Sequence, residues 1–256
     1  MRILVSNDDG VYSPGIAALA RAAQAFGEVR VVAPDVEQSS AGHAITATRP
    51  LRYRPTAIFE DIEAFRVNGT PADCVALGVF MWEKVDVVLS GINLGSNLGN
   101  ATWHSGTLAA AKQAALLGIR GIALSTPVAD EQADFSTIAP WVDRALEVVL
   151  DGSCPKLVNI NFPREPRGMR WTSQAVDHYD GKVVPDEDPM GRQHYWFTVV
   201  PLERHREGTD LWAVEQGFVS LTPLRLDLTH YDELARVRES HALDGRPPAT
   251  RSAPHS

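Results

Sequence analysis

The chain has 256 residues, of which 44% are hydrophobic and 22% are charged, and its formal net charge is −8. A globular chain of this size buries enough surface to fold without a disulfide or metal support. The acidic balance argues against a nucleic-acid polymer as the main partner, because neutralising many phosphates needs a basic surface. An acidic protein can still handle one phosphate if a bound cation reverses the local field.

The cysteines and the apolar segments predict a cytoplasmic protein with no membrane partner. Cys74 and Cys154 are far apart and form no CxxC pair, which is typical of reduced thiols. The apolar run that opens MRILVSNDDG is too short for a signal peptide. No stretch approaches the roughly 20 apolar residues that would span a bilayer.

The first elements in chain order are a strand, a helix and a strand. Residues 2–6 are an apolar, β-branched run, and Ser13 with Pro14 then opens a helix that Gly27 is expected to end. A second apolar strand follows at residues 29–33. This order predicts a parallel, right-handed crossover unit.

Residues 36–65 are less regular and contain a predicted hairpin around residues 44–48. The following pattern predicts, in order, a helix opened by Thr70 and Pro71 at residues 72–82, a strand at 85–90, a helix from about 105 that Gly118 ends, a strand at 121–125, a helix at 138–150 and a strand at 156–162. Alternating strands and helices predict an α/β fold, a Rossmann-like, doubly wound and mostly parallel sheet. This catalytic core is predicted to span residues 1–163.

The pattern changes beyond residue 163. Alternating strand patterns lie at residues 194–200 and 217–222, and a final helix is predicted at about residues 229–239. We interpret residues 164–228 as antiparallel β-hairpins, so that residues 164–242 form a C-terminal arm with that helix, suited to subunit contacts or to covering a sheet edge. Residues 243–256 have the composition of a disordered tail.

The first chemical motif is Asn7-Asp8-Asp9-Gly10, directly after the first strand. Ligands bind beyond the carboxyl ends of the strands in open parallel sheets, near the point where the strand order reverses. Two adjacent carboxylates there repel each other, and the nearby sequence offers no lysine or arginine. A hard divalent cation fits Asp8 and Asp9, although a solvated polar turn is the plainer alternative.

Three further polar segments follow predicted strands. In GINLGSNLGN, Asn93 and Asn97 accompany glycines that let a backbone approach a ligand, and a strand order with this segment beside the first strand would bring Asn93 to face Asp8 and Asp9. Ser105, Gly106 and Thr107 open a helix whose N-terminus suits a phosphate, with a plain helix cap as the alternative. Ser39 could add a hydroxyl to a metal site. The eight histidines show no HxH or HExxH spacing, which disfavours zinc.

Five ordered motifs resemble the SurE family of metal-dependent nucleotidases and phosphatases. They are MRILVSNDDGVYSPGI, VVAPDVEQSSAGHAIT, NGTPADCV, VVLSGINLGSNLGNATWHSGTLAAA and GTDLWAVEQGFVSLTPLRLDLT. The resemblance implies one divalent cation per subunit, Mg²⁺ or Mn²⁺, bound by Asp8, Asp9, Ser39 and Asn93. It implies catalytic roles for Asp8, Asp9 and Asn97, and phosphate contacts from Asn97, Ser105, Gly106 and Thr107.

The resemblance also implies a small-molecule nucleotide substrate and a homodimer or homotetramer that exchanges the C-terminal arm. We expect hydrolysis of nucleoside 5′-monophosphates, with 3′-monophosphates and short polyphosphate as open extensions. Three alternatives remain. A covalent phospho-aspartate route normally places its aspartates two residues apart, and a serine hydrolase using His104 and Ser105 lacks the GxSxG turn. The third is a nucleotide-binding module without turnover.

Overall fold

The computed structural model of the chain describes residues 1–127, 135–176, 181–199 and 205–240. The chain divides into two compact units, Met1–Leu224 and Arg225–Ser256. The described part of the second unit contains one helix, Tyr231–Ser240, close to the predicted final helix. The predicted disordered tail, residues 243–256, lies outside the described residues.

The first unit contains eleven strands among its described residues. They are β1 (Arg2–Ser6), β2 (Glu28–Pro34), β3 (Tyr53–Pro55), β4 (Glu63–Val67), β5 (Val87–Leu94), β6 (Arg120–Thr126), β7 (Leu157–Asn161), β8 (Gly168–Trp171), β9 (Gly181–Glu187), β10 (Gln193–Val199) and β11 (Phe218–Pro223). The helices are α1 (Pro14–Ala23), α2 (Pro71–Met81), a short 3₁₀ helix (Gly99–Trp103), α3 (Gly106–Leu116), α4 (Ala139–Val149) and α5 (Asp210–Glu215).

The predicted doubly wound sheet is confirmed. Nine strands form one sheet in the order β3-β4-β2-β1-β5-β6-β7-β11-β8. β1 pairs in parallel with β2 on one side and with β5 on the other. The reversal of strand order falls between β1 and β5, where Ser6 is in register with Ser90. The segments that follow these two strands therefore meet at one edge of the sheet.

Helices cover both faces of the sheet, so the central strands are buried on both sides. One face packs against α1 and α4 through residues such as Ile3, Leu19 and Leu146. The other packs against α2 and α3 through residues such as Leu4, Val75 and Ala110. Within the described chain, no helix is both long enough and apolar enough to cross a membrane.

The predicted starts of α1 and α2 are confirmed by their caps. The Ser13 side chain accepts the Ile16 N–H at the start of α1. Thr70 and Asp73 form a reciprocal capping box at α2. The end of α1 was predicted wrongly: it closes at Ala23, well before Gly27. Gly27 is instead packed against the Met1 carbonyl, where an added Cβ would lie 2.1 Å from the oxygen.

The interpretation of residues 164–228 as antiparallel hairpins was partly wrong. β11 pairs antiparallel with β7, and β8 pairs parallel with β11, so both strands belong to the main sheet. The physical reason is burial: Val219 and Leu221 of β11 are 0% and 2% exposed because they cover what would otherwise be the edge at β7. Among the described strands, only β9 and β10 form a separate antiparallel hairpin.

The hairpin predicted around residues 44–48 is absent, although these residues are described by the structure. The Thr46 N–H donates to Asp73 Oδ1 at 3.0 Å, and the Ala44 carbonyl accepts from the Thr70 hydroxyl at 2.7 Å. The backbone groups of this segment therefore form hydrogen bonds with residues at the start of α2, and not with a neighbouring strand.

Candidate active site

A cavity of about 660 Å³ opens beside the ends of β1 and β5. Five of the eight predicted site residues line it, and they come from four separate segments of the chain: Asp8, Ser39, Asn93, Asn97 and Ser105. Asp9 lines an adjoining cavity with Glu37, and Leu94 lines both. Gly106 and Thr107 are not among the lining residues and contact Asp8.

Asp8 is only 4% exposed and is held by the start of α3. The Thr107 hydroxyl donates to Asp8 Oδ1 at 2.7 Å, and the backbone N–H groups of Gly106 and Thr107 also donate to this carboxylate. Burial raises the pKa of Asp8, while these hydrogen bonds act against the increase. The N-terminus of α3, predicted to contact phosphate through Gly106 and Thr107, is thus used to fix Asp8.

Asp9 is half-buried and its charge is poorly compensated. Its Oδ2 atom is buried without a hydrogen-bond partner among the described residues. Burial and the neighbouring Asp8 raise the pKa of Asp9 to about 6; Glu37 adds to the increase, and the Leu94 N–H acts against it. Within the described chain, neither Asp8 nor Asp9 forms a salt bridge with a basic side chain.

The oxygen atoms around this acidic pair fit a hard divalent cation. The described residues contain no group of three or more His, Cys, Asp or Glu side chains that lie close enough together to hold a metal ion. The predicted metal ligands comprise two carboxylates, one amide and one hydroxyl. Asn93 Nδ2 donates to the Gly95 carbonyl, which leaves the amide oxygen as its remaining polar atom. Such a set suits a hard divalent cation such as Mg²⁺ or Mn²⁺, and the buried Oδ2 of Asp9 has no hydrogen-bond partner among the described residues.

Ser39 lies on the loop that follows β2, and this loop is attached to the site. The Gln38 N–H donates to the Asp8 carbonyl at 2.7 Å, and the Gly42 N–H donates to the His104 carbonyl at 3.1 Å. The Ser39 hydroxyl donates to Glu37 Oε1 at 2.6 Å. Glu37 was missed by the sequence analysis, because a single exposed acid in a polar loop gives no local signal.

Asn97 is 7% exposed, and hydrogen bonds fix the orientation of its amide. Its Nδ2 lies 2.9 Å from Ser125 Oγ and 3.2 Å from Thr107 Oγ1. Because an ionised Asp8 can only accept, the Thr107 hydroxyl donates to Asp8 and accepts from Asn97. The amide hydrogens of Asn97 are thus directed into the protein, and its oxygen is the group left for a ligand.

Asn159 and Asn161 of β7 hold the backbone of Asn97 and were not predicted as site residues. Both side chains donate to the Asn97 carbonyl, at 2.8 Å from Asn159 and 3.1 Å from Asn161. The Asn97 N–H donates to Asn161 Oδ1 at 2.8 Å. The only signal in the sequence is two asparagines inside the apolar strand pattern LVNIN.

Comparisons with known proteins identify the family of the chain. The family model described as "Survival protein SurE" matches residues 3–181. A protein named 5′-nucleotidase SurE 1 from Thermus thermophilus is 49% identical over 253 residues, covering 97% of this chain and 100% of that protein. A protein named 5′-nucleotidase SurE from Deinococcus radiodurans is 47% identical, covering 93% of this chain and 92% of that protein.

A solved structure of a SurE protein is also similar to this chain. The crystal structure of the SurE protein from Aquifex aeolicus has a TM-score of 0.80 and 40% sequence identity, and the match covers 94% of this chain and 99% of that one. The agreement extends over nearly the whole chain, including the segments that bring Asp8, Asn93 and Asn97 together. The chain therefore belongs to the SurE family.

Proposed function

We propose that this protein hydrolyses nucleoside 5′-monophosphates to a nucleoside and phosphate, using one Mg²⁺ or Mn²⁺ ion per subunit. The observation that carries the proposal is the adjacent pair Asp8 and Asp9, whose negative charge has no basic partner within the described chain. The names of the Thermus and Deinococcus relatives support the substrate class. Phosphate esters at the 3′ position and short polyphosphate are further candidate substrates.

The residues that would hold the cation are Asp8, Asp9, Ser39 and Asn93. When bound, a divalent cation supplies the positive charge that an anionic substrate needs here, and it polarises a phosphoryl oxygen. Asp8 is kept in one orientation by Thr107 and the start of α3. The protein therefore presents a carboxylate that does not need to reorient during the reaction.

Ser105 and Asn97 supply different contacts in the cavity. The Ser105 oxygen accepts the Leu108 N–H at 3.0 Å, so its hydroxyl proton remains to donate to a phosphate oxygen. This helix-capping role also disfavours Ser105 as an activated nucleophile. The Asn97 oxygen is an acceptor, which suits a water molecule or a ribose hydroxyl better than a phosphate oxygen.

The direct test is phosphate release from a panel of substrates. Purified protein is assayed with AMP, GMP, a 3′-monophosphate and short polyphosphate, each with Mg²⁺ or Mn²⁺ and with EDTA. We expect release from the 5′-monophosphates that EDTA abolishes. Binding of these nucleotides without release would favour a regulatory nucleotide-binding module, and release unaffected by EDTA would contradict the role of the cation.

A second test replaces the buried carboxylate. We expect Asp8→Asn to lower kcat/KM by about 100-fold or more, the upper end of the losses seen when a metal site is altered. The thermal midpoint should stay close to wild type. Asp61→Asn is the matched control, because Asp61 is an exposed carboxylate that contacts only Arg21 and Gln24 among the described side chains. Full activity of Asp8→Asn, or a stable phosphorylated aspartate, would contradict this mechanism.

The proposal includes assembly into a homodimer or homotetramer through the C-terminal arm. Tyr195 and Trp196 on β10 are 64% and 60% exposed, and they lie on a hairpin that pairs with no other described strand. Two-stranded hairpins are marginally stable in water, so contact with another subunit would stabilise this one. A cytoplasmic location is part of the same proposal, supported by the unpaired thiols of Cys74 and Cys154.

A further inference from the structure

Buried polar side chains form a row across the sheet beneath the candidate active site. Ser6 is in register with Ser90. On the next strand the row is interrupted by the apolar Ala123, and it then continues to Asn159 and Thr222. Side chains in register on adjacent strands lie on the same face of a sheet. Two residues further along β7, on the same face, Asn161 is in register with Ser125 and with Ser220.

Asn159 and Asn161 are the members of this layer that contact the backbone of the active-site loop. They are 1% and 0% exposed, and together they make three hydrogen bonds to the backbone of Asn97. These contacts join residues more than sixty positions apart in the chain. They satisfy both the N–H and the carbonyl of a loop residue that is buried and has no strand partner.

The side chain of Asn97 is held separately. Ser125 of β6 accepts from its amide at 2.9 Å, and Thr107 of α3 accepts at 3.2 Å and donates to Asp8. A continuous series of hydrogen bonds therefore runs from Asn161 through Asn97 and Thr107 to the carboxylate of Asp8. Because both the backbone and the side chain of Asn97 are fixed, its amide oxygen can take only a single position beside the cavity.

Stability alone does not account for these asparagines. Burying an amide costs free energy unless its polar atoms are paired, and Asn159 Oδ1 is buried without a partner among the described residues. Val158 and Ile160, which alternate with them along β7, are fully buried aliphatic residues in the core. Aliphatic residues would also fit the strand, but they would leave the N–H and carbonyl of Asn97 unpaired, so the two amides serve to hold this active-site loop residue.

We propose that Asn159 and Asn161 are positioning residues, which hold Asn97 and through it Thr107 and Asp8 in the geometry that the reaction needs. The proposal rests on the hydrolysis proposed above, because it assigns these residues to the same site. Neither residue lines the cavity, so neither is expected to contact the substrate.

The test compares Asn161→Ala and Asn159→Ala with Thr222→Val. Thr222 belongs to the same polar layer, but its hydroxyl contacts only Thr172 and Ser220 among the described residues. We expect Asn161→Ala to lower kcat by about 10- to 100-fold, because misplacing a group in the active site by about an ångström has an effect of this size. Asn159→Ala should lower kcat by about 5-fold, since it removes one hydrogen bond. KM should change little, and Thr222→Val should keep the wild-type kcat.

A double-mutant cycle separates positioning from general damage to the fold. If Asn161 acts through Asn97, Asn161→Ala should cause no further loss of kcat in an Asn97→Ala background. Independent, multiplicative losses in the double variant would overturn the proposal. So would a wild-type kcat for Asn161→Ala, or an equal loss in Thr222→Val. If Asn161→Ala does not fold, the same cycle is run with Asn159→Ala.

Amide hydrogen exchange in the metal-free protein provides a readout independent of activity. The Asn97 N–H should exchange at least about 10-fold faster in Asn161→Ala than in Thr222→Val, because its buried acceptor has been removed. Unchanged exchange at Asn97 would overturn the proposal even if kcat fell. If the wild-type protein releases no phosphate from any substrate, the proposed function fails, and the exchange experiment still decides whether Asn161 holds Asn97.

Discussion

At the scale of single residues, the site depends on how Asp8 is held. Its carboxylate accepts hydrogen bonds from the start of α3 and from the Thr107 hydroxyl, while Asp9 beside it has a buried, unpartnered oxygen. The two adjacent acids are therefore not equivalent. Asp8 has a fixed orientation supplied by the protein, whereas Asp9 keeps an oxygen available for a cation.

Gly106 makes this arrangement possible and provides the first prediction at this scale. A Cβ at residue 106 would lie 2.7 Å from Asp8 Cβ and 2.8 Å from Asp8 Oδ2, so Gly106→Ala must displace the carboxylate. We expect kcat/KM to fall by about 100-fold, as it does when a reacting group is misplaced by about an ångström. Steady-state kinetics at saturating Mn²⁺ check the result.

The control for this substitution is Gly152→Ala. A Cβ at residue 152 would meet nothing within 4 Å, so activity should be unchanged. If Gly106→Ala retained wild-type activity, Asp8 would not need the position seen here.

At the scale of elements, α2 fixes a segment of the loop that follows β2. Asp73 closes the capping box of α2, accepting the Thr70 N–H at 2.9 Å and the Thr46 N–H at 3.0 Å. The same loop carries Ser39, and its Gly42 N–H contacts the His104 carbonyl. A helix cap thus also organises a wall of the candidate active site.

Asp73→Ala tests this double role. We expect the free energy of unfolding to fall by about 1–2 kcal/mol, since the change removes a cap and leaves two partly buried N–H groups without their acceptor. Urea unfolding at pH 7 measures the loss. Asp188, which accepts hydrogen bonds only from residues of its own turn among the described residues, provides the control Asp188→Ala. An equal loss in both variants would contradict a special role for Asp73.

The pH dependence of stability gives a further prediction for Asp73. Burial raises the pKa of Asp73, but hydrogen bonds from Thr46 and Thr70 outweigh it and hold the pKa below its ordinary value. A carboxyl whose pKa is lowered in the folded state stabilises the protein fully when the pH is above 3.8, its pKa in the unfolded state. This stabilisation is lost as the pH falls through the lower pKa of the folded state. The stability difference between wild type and Asp73→Asn should therefore be constant near neutral pH and shrink below about pH 4, as urea titrations at several pH values will show.

At the scale of the whole molecule, the β9–β10 hairpin carries three consecutive exposed aromatic residues. Tyr195 and Trp196 are mostly exposed, and Phe197 and Gly181 of the same hairpin line the cavity that contains Asp8. A hairpin with aromatic residues at the solvent boundary and at the active-site cavity would link assembly to the shape of the substrate pocket.

The corresponding prediction concerns oligomeric state. We expect the double variant Tyr195→Ser, Trp196→Ser to shift the molar mass toward the monomer value of 27.9 kDa, because it removes apolar contact area. Light scattering after size-exclusion chromatography measures the mass. Lys182→Ser, an exposed change on the same hairpin, should leave the assembly intact. A wild-type protein that is already monomeric would contradict the prediction.

Much of this fold could be predicted because its signals are local. Ser13, Thr70 and Ser105 cap helices through hydrogen bonds to residues three positions away, so the sequence beside each start carries the information. The apolar runs at residues 2–6 and 85–90 predicted the central strands, and the polar segments after these runs pointed to Asp8 and Asn93. Residues 36–65 and 164–228 were less well predicted, since their hydrogen-bond partners lie far away in the chain.

The amino-acid sequence alone determined the parallel sheet, the acidic pair at the tip of the first strand and the family resemblance. Only the tertiary structure decided that the start of α3 holds Asp8, that β8 and β11 extend the main sheet, and that Asn159 and Asn161 hold Asn97. The physical reason is that a strand pattern specifies which residues are buried but not which distant groups they meet. Polar atoms find their partners only when the elements that carry them are packed together.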